Sequence, residues 1–299
     1  MIIRNRHDPE PGGWKASRAA EEANNLARRA GSAFVLGPFA IVAAYLGGWI
    51  FVGASAIVAG LVLWEWTLLV ARRANLRILV PGLSALLIAA ILTQQGEPAL
   101  AIAAFTFGAL FAAVLTAAPS RAHPAAIPPE WAATGVIYAG VAFTAPAVLR
   151  GDPEMGFPAL LFLFATVWAT DIMAYLVGRS VGGPLLWPQL SPKKTWAGAI
   201  GGLAGGVAAG SLVAWASAGT KPLVAGILAL VLSITAQGGD LFESWIKRRF
   251  GAKDAGALIP GHGGMMDRID GFLAAALLAL LIGSLRLGMA ASARGLLVW

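Results

Sequence analysis

The amino-acid sequence predicts an all-α, polytopic integral membrane protein with about nine transmembrane helices, or eight if its first two apolar segments form one re-entrant unit. Two observations predict this. The 299-residue chain is 58% hydrophobic and only 12% charged, where a soluble domain carries about 25% charged residues. Its apolar stretches are long and unbroken, and they recur at the ~20-residue length a helix needs to cross ~30 Å of hydrocarbon. Lipid offers no partners to backbone polar groups, so only helices or closed barrels span it. Continuous apolar runs select helices over the alternating strands of a barrel.

Taken in order, residues 1–32 form a polar arm without a compact signal-peptide pattern, since the first apolar run begins only near Ala33. That run, 33–71, is broken near Gly47 and Gly48 and reads as two helices joined by a tight turn. Further spans are expected at 76–93, 98–118, 131–149, 157–177, 198–218, 222–241 and 269–290. We divide the chain into the arm (1–32), an N-terminal transmembrane region (33–160) and a C-terminal transmembrane catalytic region (161–299). The arm's residues 14–31 have the mixed charge of a solvated helix, with too weak an apolar face to lie along headgroups. Span seven is dense in glycine at small-residue spacing, which suits close helix packing inside the protein or, as the alternative, a dimer seam.

Charge gives an orientation. With the N-terminus inside, eighteen of the 22 lysines and arginines fall on one face, leaving Arg150, Lys221, Arg286 and Arg294 on the other. This bias marks the cytoplasmic side of a cell (inner) membrane. The net charge of +7 is therefore read as orientation and attraction to anionic headgroups, not as nucleic-acid binding. Cysteine is absent, which excludes disulfides, thiolate nucleophiles and cysteine-ligated clusters.

Acids in apolar helices are costly and mark function. Asp171, Asp240, Glu243, Asp254, Asp267 and Asp270 all fall late in the chain, near the cytoplasmic ends of their spans. Asp240 and Glu243 stand three apart, as do Asp267 and Asp270, so each pair shares a helix face. Basic residues share that end: Arg179, Lys193, Lys194, Lys247, Arg248, Lys253 and Arg268. Hard carboxylate oxygens hold Mg²⁺ while cations neutralise phosphate oxygens, so the mixture suits a metal–phosphate site. The glycine-rich connector with Gly261, His262, Gly263 and Gly264 can turn backbone N–H groups toward an anion; a plain flexible linker is the competing reading. Ser191, Lys193, Lys194 and Thr195 lie just before span seven, another place for phosphate, although lysines there are also ordinary positive-inside residues. Asp171, with Tyr175 and Arg179 on following turns, reads equally as a buried ion pair or as a nucleotide or metal contact. Glu65, between Trp64 and Trp66, is read as a partner for a buried base, and the tryptophans as anchors or packing.

The 27 residues from Ser244 to Asp270, with Lys247, Arg248, Lys253, Asp254, Pro260, His262, Gly263, Gly264, Asp267, Arg268 and Asp270 in register, closely resemble the signature of CDP-diacylglycerol synthases, also called phosphatidate cytidylyltransferases. The Ser-Pro-Lys-Lys-Thr segment and the Asp171–Arg179 stretch resemble that family too, and the likeness is sharp over about residues 165–275. The resemblance implies conversion of CTP and phosphatidic acid to CDP-diacylglycerol and pyrophosphate by a homodimeric enzyme of the bilayer. It further implies a metal centre on Asp240, Asp267 and Asp270 holding Mg²⁺, with room for a second cation such as K⁺. Lys253 and His262 would belong to the catalytic set, and Ala197 departs from the acidic or amide residue frequent there. A CTP-dependent lipid-alcohol kinase and an ion-coupled transporter are the alternatives. A CDP-alcohol phosphotransferase is disfavoured because Phe272 and the alanines after it lack that motif's later aspartates.

Overall fold

A computed structural model describes residues 36–118, 127–256 and 263–299 of the chain. Within them lie a short helix α1 (Leu36–Leu46) and α2 (Gly48–Ala71), α3 (Leu76–Gln94), α4 (Pro98–Ala117), α5 (Pro129–Gly151) and α6 (Gly156–Val181). A small hairpin follows, β1 (Leu185–Trp187) and β2 (Ser191–Thr195), then α7 (Trp196–Ala218), α8 (Pro222–Arg249), α9 (Met266–Leu287) and α10 (Ser292–Leu297). Eight helices, α2 to α9, are long and apolar enough to cross a membrane. The chain is thus an all-α, multi-pass membrane protein. Helix α1 is only half a span, so the eight-helix count holds among the described residues.

The breaks have local causes. Gly47 and Gly48 take positive φ values of 64° and 51° between α1 and α2, a region that favours glycine. Asn75 caps α3 by accepting from the Arg77 N–H at 2.9 Å. Pro98, Pro129 and Pro222 each open a helix, where a missing N–H costs nothing.

Helices α2 to α5 share one buried core, which Ile246, Ala255, Met266 and Leu273 of the later chain enter. Helices α6 to α10 share a second with the ends of α1 and α5. An aromatic group ties the two sets. Trp66, fully buried, donates to the Trp131 carbonyl at 2.9 Å, and Trp131 packs on Trp245 and Phe250. These tryptophans are packing groups.

The glycines of α7 serve internal packing. A Cβ on Gly202 would come within 2.9 Å of the Thr170 carbonyl, and one on Gly206 within 2.2 Å of Thr170 Oγ1. Helices α6 and α7 therefore touch through backbone, while Thr170 Oγ1 and Ser233 Oγ hydrogen-bond at 2.7 Å across to α8.

The two ends of the bundle are knit separately. At one end Arg72 reaches the Phe250 carbonyl and Arg77 the Ala118 carbonyl. At the other, Arg150 binds carbonyls of Ala44 and Tyr45, and Arg294 pairs with Asp152 and Glu154. The segments grouped by charge counting thus lie together among the described residues. The polar arm, its 14–31 segment and Arg121 lie outside those residues.

Candidate active site

Helix α8 carries Asp240, Glu243 and Lys247 on one face, since three- and four-residue steps stack on a helix. The first two turns of α9 carry Asp267 and Asp270. Two glycines let these helices approach. A Cβ on Gly239 would meet the Asp270 carbonyl at 2.7 Å, and one on Gly271 the Ala236 carbonyl at 3.0 Å. The result is a convergence of carboxylates: Asp240, Glu243 and Asp270 each offer an oxygen within 4.8 Å of the others. Glu243 is buried, and neither of its oxygens has a well-formed hydrogen bond.

Lysines balance the acids. Lys194, on β2, pairs with Asp240 Oδ2. Lys247 lies 2.5 Å from Glu243 Oε2 and 2.5 Å from Asp267 Oδ1. Asp267, the other acid expected at the metal, also accepts on Oδ2 from the Gly264 N–H at 2.8 Å and the Ala255 N–H at 3.2 Å. It stands at the edge of the carboxylate group, beside Glu243 and sharing Lys247 with it. Asp171 of α6 lies within electrostatic range of Asp240, Asp270 and Lys194, so it belongs to the same site.

The remaining candidates surround this centre. Ser191 and Thr195 are the ends of β2, which pairs antiparallel with β1. Thr195 is buried and caps α7 by accepting from the Gly198 N–H at 3.1 Å. Lys193 is exposed on the same strand. Arg179 donates to Tyr175 Oη at 2.9 Å, so it pairs with the tyrosine and not with Asp171 as the sequence spacing allowed. Arg248 donates to the Ala252 carbonyl at 3.0 Å and shapes the turn after α8. Lys253 in that turn and Arg268 in the first turn of α9 are exposed. Gly263 has φ 83°, and a Cβ there would lie 3.0 Å from Asp267 Oδ2. His262 lies outside the described residues.

One residue takes a larger part than its sequence context suggested. Glu65 is fully buried, and its two oxygens accept from the Met265 and Met266 N–H groups at 2.7 and 2.8 Å. Its partner is a helix N-terminus, not a base. An acid inside an otherwise uncharged span was the available signal; nothing in the spacing named α9 as its target. Together with Asp267, Glu65 takes the amides of residues 264–266, so these donors of the glycine loop already serve the protein's own carboxylates.

Residues 27–285 match the model of the cytidylyltransferase family. The chain belongs to that family. Membership makes it a nucleotidyltransferase, and its match runs through both halves of the bundle. It is 43% identical over 264 residues to the phosphatidate cytidylyltransferase of Brucella abortus, covering 88% of this chain and 94% of that one. The same values relate it to the phosphatidate cytidylyltransferase of Brucella suis. The Mycobacterium leprae phosphatidate cytidylyltransferase is 43% identical over 137 residues, 46% of this chain and 44% of its own.

Proposed function

We propose that this cytidylyltransferase joins CTP to phosphatidic acid, giving CDP-diacylglycerol and pyrophosphate for phospholipid synthesis. The observation that carries the proposal is the meeting of Asp240, Glu243 and Asp270 within 4.8 Å, beside Lys194 and Lys247. The names of relatives 43% identical over 88% of the chain support the choice of lipid acceptor.

The residues fit a hard divalent cation. Three oxygen-only side chains from two helices converge, and Glu243 brings a buried carboxylate that meets Lys247 through one oxygen, a donor set matched to Mg²⁺. Asp240 and Asp270, with Glu243 beside them and Asp267 at the edge, would hold it. Bound Mg²⁺ supplies positive charge to phosphate oxygens. A second cation such as K⁺ has carboxylate left for it in the same group.

The chain's own work is electrostatic. A phosphate oxygen of phosphatidic acid forms a bond to the α-phosphorus of CTP, and the bond from that phosphorus to the bridging oxygen breaks. Pyrophosphate leaves with the electron pair. The nucleophile is already an anion near pH 7, so no strong base is needed; two polyanions must be brought together and aligned. Lys194, Lys193, Arg179, Lys253 and Arg268 supply positive charge for the phosphates, and Lys247 holds the orientation of Glu243 and Asp267. On this reading the protein works as a homodimer in the cell membrane, with the site facing the cytoplasm.

The test is purified protein in mixed micelles with phosphatidic acid and α-labelled CTP. Label should enter a CDP-lipid with one pyrophosphate released per product, dependent on Mg²⁺. Absence of such a product, or label entering a phosphorylated lipid alcohol instead, would overturn the proposal.

A further inference from the structure

Glu65 is the only charged residue of α2 and is 0% exposed, in a position where an acid is costly unless it does something. The helix it caps has no side-chain cap of its own. Met265 immediately precedes α9 and Met266 opens it, so α9 takes its N-terminal acceptors from a residue two hundred positions earlier. Negative charge there is favoured both by the unpaired N–H groups and by the helix dipole.

The contact is also close on the loop side. A Cβ on Gly264 would stand 2.5 Å from Glu65 Oε2, and one on Gly256 3.0 Å from Oε1. Gly264 in turn donates its N–H to Asp267 at 2.8 Å. Three successive amides therefore end on two carboxylates, one from each half of the chain. From Asp267 the connection continues through Lys247 to Glu243.

We infer that Glu65 is a positioning residue for the carboxylate site: by gripping the start of α9 it fixes the rotation and depth of the turn that presents Asp267 and Asp270. The inference rests on the metal–phosphate reading of those acids. It makes the N-terminal half a working part of the site without giving it a group that touches substrate. Glutamine at position 65 keeps the shape but offers one acceptor and turns an N–H₂ against a backbone N–H. Aspartate keeps the charge but is one methylene too short to reach both amides.

The experiment uses full-length Glu65→Gln and Glu65→Asp in detergent. It measures Mn²⁺ binding by electron paramagnetic resonance without substrates, then kcat and KM for CTP, with a thermal unfolding curve for each. Glu65→Gln should weaken Mn²⁺ binding and lower kcat by about 10–100-fold, the range for partners behind a metal's own ligands, with KM for CTP close to the parent's. Glu65→Asp should fall between. Parent-like Mn²⁺ binding and kcat in Glu65→Gln would overturn the inference. So would loss of the unfolding transition in both variants, because the carboxylate would then serve the fold alone. If the parent makes no CDP-lipid, the proposed reaction fails, while the Mn²⁺ comparison still decides the positioning role.

Discussion

Lys247 Nζ lies 2.5 Å from Glu243 Oε2, one helical turn earlier on α8, and both side chains are nearly closed to solvent at 12% and 1% exposed. The same nitrogen is 2.5 Å from Asp267 Oδ1 on α9, so one ammonium serves two carboxylates on two helices.

Removing that ammonium should be costly. Lys247→Met leaves two acids without their cation, and loss of one partner of a buried pair destabilises by about 3–5 kcal/mol. The unfolding midpoint in detergent should fall accordingly. Glu243→Gln added to Lys247→Met should recover part of the midpoint. No recovery would mean that the two side chains are not energetically coupled.

Lys194 is placed differently. It reaches Asp240 from β2 and is 29% exposed. Lys194→Gln removes a charge-assisted contact worth about 1.5–3 kcal/mol, or roughly 10–100-fold. We expect that loss in KM for CTP with little change in the unfolding midpoint. An unchanged KM would take Lys194 out of nucleotide binding.

The carboxylates themselves should respond in order of their place. Asp240→Asn and Asp270→Asn each remove an oxygen ligand from the group that meets within 4.8 Å. Mn²⁺ binding and turnover should fall by more than the 10–100-fold typical of groups behind the ligands. Asp267→Asn keeps one acceptor for the Gly264 and Ala255 amides and weakens the contacts with Lys247 and Glu243. Its loss should be smaller, as read by Mn²⁺ titration of the three variants side by side. An Asp267→Asn defect equal to the other two would place Asp267 among the direct ligands.

How much of this was legible in the sequence depends on the range of the interaction. Spans were readable because lipid demands long apolar helices, and the Asp240–Glu243 and Asp267–Asp270 pairs because three-residue spacing is a local property. The short α1 was readable only as an alternative, since the Gly47–Gly48 break marks a turn but not how deep the preceding helix runs. Which acids meet was not readable. That depends on how closely α8 and α9 approach, which Gly239 and Gly271 decide from opposite helices. Glu65 announced itself as an unusual acid, but its bond to α9 spans two hundred residues and leaves no spacing to read.

The α7 glycines give a packing prediction. A methyl group on Gly206 would overlap Thr170 Oγ1 at 2.2 Å and crowd Ser233 Oγ at 2.9 Å, and overpacking of this kind costs about 1–3 kcal/mol. Gly206→Ala should lower the unfolding midpoint without changing the oligomeric state measured by light scattering in detergent. A dissociated protein with an unchanged midpoint would assign this stripe to a contact between copies instead.

Orientation can be tested cleanly because the chain has no cysteine. Arg249 closes α8 near the start of α9, while Glu154 pairs with Arg294 at the opposite end of the bundle. Basic residues gather on the first of these faces, from which the positive-inside bias predicts a cytoplasmic location. Glu154→Cys should therefore react with a membrane-impermeant maleimide added to intact cells. Arg249→Cys should react only after the membrane is opened. The reverse pattern would put the carboxylate site on the outer side, away from cellular CTP, and the proposed reaction would lose its nucleotide.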